Sequence, residues 1–330
     1  MNKTVEEAFS KFVRDVVDLD PSKVAAARES VGNLLDNIHE FDGQDGFFRL
    51  YKDVDIQFGS FARGTKCREL DDVDIMVCIS ANGTTYQRTS NFEDIEMYVD
   101  GDIAQSCCVN EGTNVLNSTK VINQFKKKLE FTRDYRRSDL RKDHEAVVLN
   151  LLSKDWSFDI VPCFFTKPDS DGRQFYLIPN GNGNWKKTDP RIDLNVLNTA
   201  DVNLGGNLRR LIRLMKRWNR SKKVVTLQSY ALETLMLSIG INQPTSCDRI
   251  RVWHALGHIA ESVLNPIADS KGIQGDLNTL GIGDRKTVSE RALADREIVG
   301  EALQDECEGR PEVAINKWRQ VFGEAFPTYG

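Results

Sequence analysis

Apolar and polar positions repeat with two different periods along this chain, and the change of period marks its parts. Val5, Phe9, Phe12, Val13 and Val16–Val17 fall near helical spacing. The step Asp20-Pro21-Ser22 interrupts that pattern, which resumes over residues 24–38. Two helices are therefore predicted over residues 4–40, packed as a spine behind a sheet. After a Gly43–Gly46 turn, residues 73–79 form a β-branched, apolar run of the kind found in buried strands. Residues 146–152 and 156–165 predict two more strands joined by the turn Ser153-Lys154-Asp155. From Asn203 the period becomes helical again. Leu208, Leu211, Ile212, Met215 and Trp218 share one face, a second helix covers residues 229–239, and further helices follow around a Pro/Gly-containing link at 265–283.

The stretches between these elements are polar. Residues 80–119 are rich in Asn, Thr, Ser and Gly and predict a loop-rich insertion. Residues 172–190 form a glycine/asparagine-rich turn region around Trp185, which reads equally as the border of a nucleotide pocket or as an anchored loop. Residues 120–142 carry nine Lys/Arg against three acids, and a solvated helix face followed by a turn is the favoured reading.

Composition narrows the class. The chain has 330 residues, enough for two domains, with 40% apolar and 28% charged residues and a formal net charge of −5. That balance argues against a general nucleic-acid coat. No apolar run approaches the roughly 20 residues needed to span a bilayer, and the start lacks a signal-peptide core. Seven scattered cysteines without a Cys-x-x-Cys pair suggest reduced thiols and a cytoplasmic location rather than a zinc site. His254 and His258 have i,i+4 spacing but no acidic or cysteine partner in a zinc pattern, and read as packing histidines.

The chemistry gathers in FGSFARGTKCRELDDVDIMVCI, residues 58–79. Residues two apart on a strand point to the same face, so Asp72 and Asp74 project together while Val73 and Ile75 pack behind them. Two close carboxylates repel unless a cation lies between them, and oxygen ligands suit Mg²⁺ or Mn²⁺. The upstream Gly59-Ser60 and Gly64-Thr65 steps form a hydroxyl-bearing turn whose backbone could approach phosphate oxygens. Asp159 sits inside the apolar strand FDIVPCF, where a buried carboxylate requires a cation. Asp71 falls on the opposite face and reads as surface.

These blocks, GSFARGT…DDVDIMV, FDIVPCF, RLIRLMKRW and QSYALETL, together resemble the nucleotidyltransferase superfamily. Within that superfamily the chain more closely resembles the 2′-5′-oligoadenylate synthetases and the bacterial CD-NTases, relatives of cyclic GMP-AMP synthase. INKWRQVFGEAFP resembles the usual close of the bacterial group. The resemblance implies an α+β fold: a polymerase β-like mixed-sheet core with N-terminal spine helices over residues 1–200, and a helical domain over 201–330, as two lobes around a cleft. It implies that Asp72, Asp74 and Asp159 hold two Mg²⁺ ions (or Mn²⁺), with Asp159 favouring deprotonation of the attacking hydroxyl. It implies β/γ-phosphate contacts from Gly59 and Ser60, a triphosphate contact from Lys216, a phosphate contact from Ser229, and base stacking by Tyr230.

The expected activity is synthesis of a cyclic di- or trinucleotide second messenger from NTPs, ATP or GTP among them, in bacterial anti-phage signalling. The product would bind a separate effector, and no nucleic-acid activator is required by the sequence. A ubiquitin-like ligase acting on the terminal Gly330 is a further expectation from the resemblance. The alternatives are a linear oligoadenylate synthetase, a CCA-adding-type RNA nucleotidyltransferase, and a catalytically silent nucleotide-binding module, against which the three aspartates argue.

Overall fold

The computed structural model describes every residue except 1–2, 88, 90, 222–223 and 240–246. Helix α1 (Val5–Phe12) continues into a wider π turn at Val13–Val17, and α2 (Pro21–His39) follows. Strand β1 (Ile56–Phe58) leads directly into a single helical turn, α3 (Gly59–Ala62), and then into β2 (Asp72–Cys78). Short strands β3 (Thr85–Tyr86) and β4 (Met97–Tyr98) precede α4 (Ser118–Glu130). Next come β5 (Asp139–Asp143), β6 (Ala146–Asn150), β7 (Ser157–Phe165), β8 (Tyr176–Pro179) and β9 (Trp185–Thr188). Helices α5 (Pro190–Asn203), α6 (Leu208–Asn219), α7 (Ser229–Leu237), α8 (Asp248–Ser262), α9 (Ile282–Cys307) and α10 (Pro311–Phe322) complete the chain. The fold is mixed α+β. Its residues separate into two compact units, one of residues 21–63 and 70–191, the other of residues 1–20, 64–69 and 192–330.

The first unit is built on a mixed sheet in the order β1-β2-β7-β6-β5, with β8 paired to β7 and β9 to β8. Strands β2 and β7 run parallel, and the other pairings of this sheet are antiparallel. Val73 and Ile75 of β2 and Phe158 and Ile160 of β7 are buried, as their alternation with aspartates predicts. Helix α4 packs on β6 and β7 through Val121, Ile122, Phe125 and Leu129. The Phe125 ring lies 5.0 Å from that of Phe47 and 5.9 Å from that of Phe48. The basic residues of α4 lie on its other side, where Lys126 meets Glu130 one turn on at 3.0 Å. Four of the nine basic residues at 120–142 thus lie on a helix face, while Arg133, Arg136 and Arg137 follow in turns and Arg141 and Lys142 stand on β5.

The described residues of the polar insertion at 80–119 meet β9 along a seam. Ile95 and Trp185 exchange both backbone hydrogen bonds, at 2.7 and 2.9 Å. The fully buried Trp185 indole donates to the Leu116 carbonyl at 3.0 Å, so this tryptophan is an anchor. Asn180 and Asn184 both donate to the Asp94 carboxylate.

The second unit is helical. Thr4 caps α1, its hydroxyl accepting from the Glu7 amide at 3.1 Å while the Glu7 carboxylate accepts from the Thr4 amide at 3.2 Å. The apolar stripe of α1 packs on the last helix: Phe9 meets Trp318 edge-on at 4.6 Å, and Phe12 lies 5.0 Å from Phe322. His258 contacts the Leu235 carbonyl at 3.0 Å, a packing role.

Candidate active site

Strand register decides which carboxylates meet. In the parallel pair β2–β7, Asp74 stands directly opposite Asp159, and Asp72 stands opposite Ser157. Partners in register share a face, with strands about 4.8 Å apart. The sheet therefore sets Asp74 beside Asp159, with Asp72 one pleat repeat away on the same face. Asp72, Asp74 and Asp159 are each partly exposed, whereas Val73, Ile75, Phe158 and Ile160 between them are buried.

The Gly59-Ser60 turn closes on Asp74. Gly59 has φ +71°, and a Cβ built on it would fall 1.8 Å from Oδ2 of Asp74. Only glycine fits there, on both backbone and steric grounds. Ser60 follows in the turn α3. A cavity of about 400 Å³ opens beside the carboxylates, lined by Asp74, Asp159, Phe58, Glu145, His144 and Lys186 among others. Such a volume lies within the range of small-molecule sites.

Among the described residues, no group of three or more His, Cys, Asp or Glu side chains is gathered closely enough to be a formed metal cluster. The donor set nevertheless suits a hard cation: carboxylates only, two of them abreast on adjacent strands and a third on the same face.

Lys216, Ser229 and Tyr230 belong to the helical unit, together with residues 64–69. Lys216 is 3% exposed; its ammonium donates to the Thr65 carbonyl at 3.1 Å and to the Glu233 carboxylate. The Thr65 hydroxyl donates to the other Glu233 oxygen at 2.9 Å. Arg213 donates to the Gly64 carbonyl at 2.6 Å, so α6 and α7 hold the Gly64-Thr65 step through several side chains. The Ser229 hydroxyl accepts from Arg220 at 3.2 Å.

The Tyr230 hydroxyl lies 2.7 Å from a carboxylate oxygen of Asp193 and 3.0 Å from one of Asp269, and it accepts from Lys271. The Lys271 ammonium also sits 4.3 Å from the centre of the Tyr230 ring. Burial, then the Asp193 charge, pushes the Tyr230 hydroxyl far above the usual phenol range, so it stays protonated. Asp269 is lowered: burial raises it, but the Gln274 amide and the Lys271 ammonium outweigh that.

Sequence reasoning missed Glu233, Glu145 and Lys186. A signal existed for Glu233, an acid within the apolar run SYALETLML. Nothing local marked Glu145 and Lys186, which converge only through the β5–β6 hairpin and the β8–β9 ladder.

Residues 80–201 match the Second Messenger Oligonucleotide or Dinucleotide Synthetase domain. The chain is 36% identical, over all of its own length and 99% of the relative's, to a probable cyclic nucleotide synthase of Bacillus cereus strain VD146. Its fold is similar to that of CdnC from E. coli MS115-1, solved with ATP, at a TM-score of 0.71 and 15% identity over 97% of this chain and 98% of that one. The same protein in complex with HORMA-deltaN gives a TM-score of 0.70 at 16% identity, with the same coverage. No helix among the described residues is long and apolar enough to cross a membrane. An aspartate-bearing parallel strand pair, a nucleotidyltransferase fold and a full-length relative agree: the chain belongs to the bacterial CD-NTases, the nucleotidyltransferase family of cyclic oligonucleotide synthases.

Proposed function

We propose that this enzyme joins NTPs, ATP or GTP among them, into a cyclic di- or trinucleotide second messenger, releasing pyrophosphate, in the cytoplasm of a bacterium defending itself against phage. The observation that carries the reading is the register that sets Asp74 beside Asp159 at a cavity of nucleotide size. Asp72, Asp74 and Asp159 would hold two Mg²⁺ ions, or Mn²⁺ in their place. Ions so held supply Lewis acidity toward an attacking hydroxyl and charge neutralisation at the departing pyrophosphate.

The protein's own residues do the rest. Asp159 draws the proton from the attacking sugar hydroxyl as that oxygen bonds to the α-phosphorus and the bond to pyrophosphate breaks. Gly59 brings the backbone against Asp74, and Ser60 beside it contacts the β/γ-phosphates. Ser229 contacts phosphate, and Tyr230 stacks on the donor base. Lys216 serves the triphosphate. Its bonds to Glu233 and Thr65 also fix the segment just after the Gly59-Ser60 turn.

The CdnC neighbour assembles with a HORMA protein, and a regulatory partner of that kind is proposed for this chain. Residues 328–330 are exposed, as attachment by a ubiquitin-like ligase would need. The product would act on a separate effector.

The test is incubation of the purified protein with labelled NTPs and Mg²⁺, then phosphatase, chromatography and mass analysis. Phosphatase-resistant cyclic masses are expected. Linear oligomers alone, or no turnover with any NTP mixture, would overturn the reading.

A further inference from the structure

The cavity beside Asp74 and Asp159 has a second wall to which the two-metal reading gives no work. It is formed by the tip of the β5–β6 hairpin and by β9. Asp143 pairs with Ala146 across that hairpin, leaving His144 and Glu145 as a two-residue loop. His144 adopts φ +41°, a left-handed conformation that glycine ordinarily supplies at the head of such a loop. A residue with a Cβ costs more there than glycine would, and such outliers gather at functional sites. The imidazole Nδ1 of His144 lies 2.7 Å from the Asp143 carboxylate, and the ring is largely exposed at the cavity wall.

Next to it, Oε1 of Glu145 accepts from the Lys186 ammonium at 2.6 Å. Both side chains line the cavity, and they are 33% and 22% exposed, so the pair is open to a ligand. Lys186 is held in place by the β8–β9 ladder, opposite Ile178. A carboxylate beside an ammonium is a hydrogen-bond acceptor beside a donor.

We propose that Glu145 and Lys186 read the Watson–Crick edge of the purine on the nucleotide that supplies the attacking hydroxyl, with the His144 ring lying against that base. The inference rests on the nucleotidyltransferase reading above and adds to it the choice of base. A purine edge presents a donor next to an acceptor, in opposite order in the two bases: adenine has an amine donor at position 6 and an acceptor at position 1, guanine a carbonyl at 6 and N–H at 1. A fixed Glu–Lys pair matches one order better than the other. A site that hydrogen-bonds such a group favours the base whose donor and acceptor it pairs.

The experiment supplies equimolar ATP and GTP with Mg²⁺ and measures the adenine-to-guanine ratio in the phosphatase-treated products by mass, with thermal melting to confirm folding. The wild type should favour one purine, and which one identifies the ligand. Glu145→Gln and Lys186→Met should each change the ratio by about tenfold or more, the effect of losing a hydrogen bond to a charged group. The exchange E145K/K186E keeps the ion pair but inverts its order, and should move the preference toward the other purine. His144→Gly should leave melting unchanged, because glycine accepts this backbone, while raising the KM of the acceptor nucleotide. No purine preference in the wild type, a ratio unchanged in both single variants, or a loss equal for all NTPs overturns the inference and leaves the nucleotidyltransferase reading standing. A wild type that makes no nucleotide product overturns both.

Discussion

Asp74 and Asp159, 85 positions apart in the chain, stand in register on neighbouring parallel strands, and Gly59 presses against the first of them. A methyl group at position 59 would have to occupy the space of the Asp74 carboxylate. Gly59→Ala should therefore lower product formation by about a hundredfold or more, a displacement of order 1 Å at a reacting group being enough. Its left-handed backbone should add about 1 kcal/mol of destabilisation. Steady-state kinetics and thermal melting of the variant check both effects; wild-type kinetics would mean that the turn is not pressed on Asp74.

The Lys216–Glu233 pair is almost wholly buried, at 4% and 6% side-chain exposure. Removing one partner of a buried pair leaves the other charge uncompensated. Glu233→Met and Lys216→Met should each lose about 3–5 kcal/mol of stability. The double variant Lys216→Met/Glu233→Met should lose less than the two single losses combined. Chemical denaturation of the four proteins measures this coupling, and strict additivity would exclude it.

Trp185 is the anchor of the 80–119 insertion. Trp185→Ala should cost about 3–5 kcal/mol, the usual range for emptying a buried aromatic site. It should also raise hydrogen exchange at the Ile95 amide, which donates to the Trp185 carbonyl, and at the Leu116 amide, which donates to the Met97 carbonyl while the Leu116 carbonyl accepts from the Trp185 indole. Unchanged protection there would show that the insertion is held by other contacts.

Asp269 gives the helical unit an acid-sensitive point. Its carboxyl is lowered in the folded protein, so its contribution is complete above the unfolded value of about 3.9 and is lost as pH falls through the lower folded value. Melting of the wild type should drop across that acid window, and Asp269→Asn should show a smaller drop there while being less stable at pH 7. Parallel acid profiles for the two proteins would remove Asp269 as a contributor.

Local pattern made most elements and the three aspartates legible. The alternation around Asp72, Asp74 and Asp159 marks strands with one polar face, and a period of two is read over a few residues. That Asp74 faces Asp159 was not readable locally, because register and strand order depend on which distant strand pairs with which. The same limit applies to α1. Its stripe of Phe9 and Phe12 announces a buried face but not its partner, and the partners are Trp318, Phe322 and Phe326. Lys216 could be singled out on its helix, while its bond to Glu233 emerges only when α6 and α7 pack. Glu145 and Lys186, 41 positions apart, are joined by two hairpins that no short motif encodes.

In the proposed reaction Asp159 works with Asp74 on a metal-bound nucleotide. Asp159→Asn changes one oxygen to nitrogen and keeps the volume of the side chain. With Mg²⁺ and NTPs, this variant should melt like the wild type and make cyclic product at least about a thousandfold more slowly, as expected for removal of a proton-accepting, cation-holding group. A folded Asp159→Asn enzyme within tenfold of the wild-type rate would exclude Asp159 as the proton-accepting, cation-holding group.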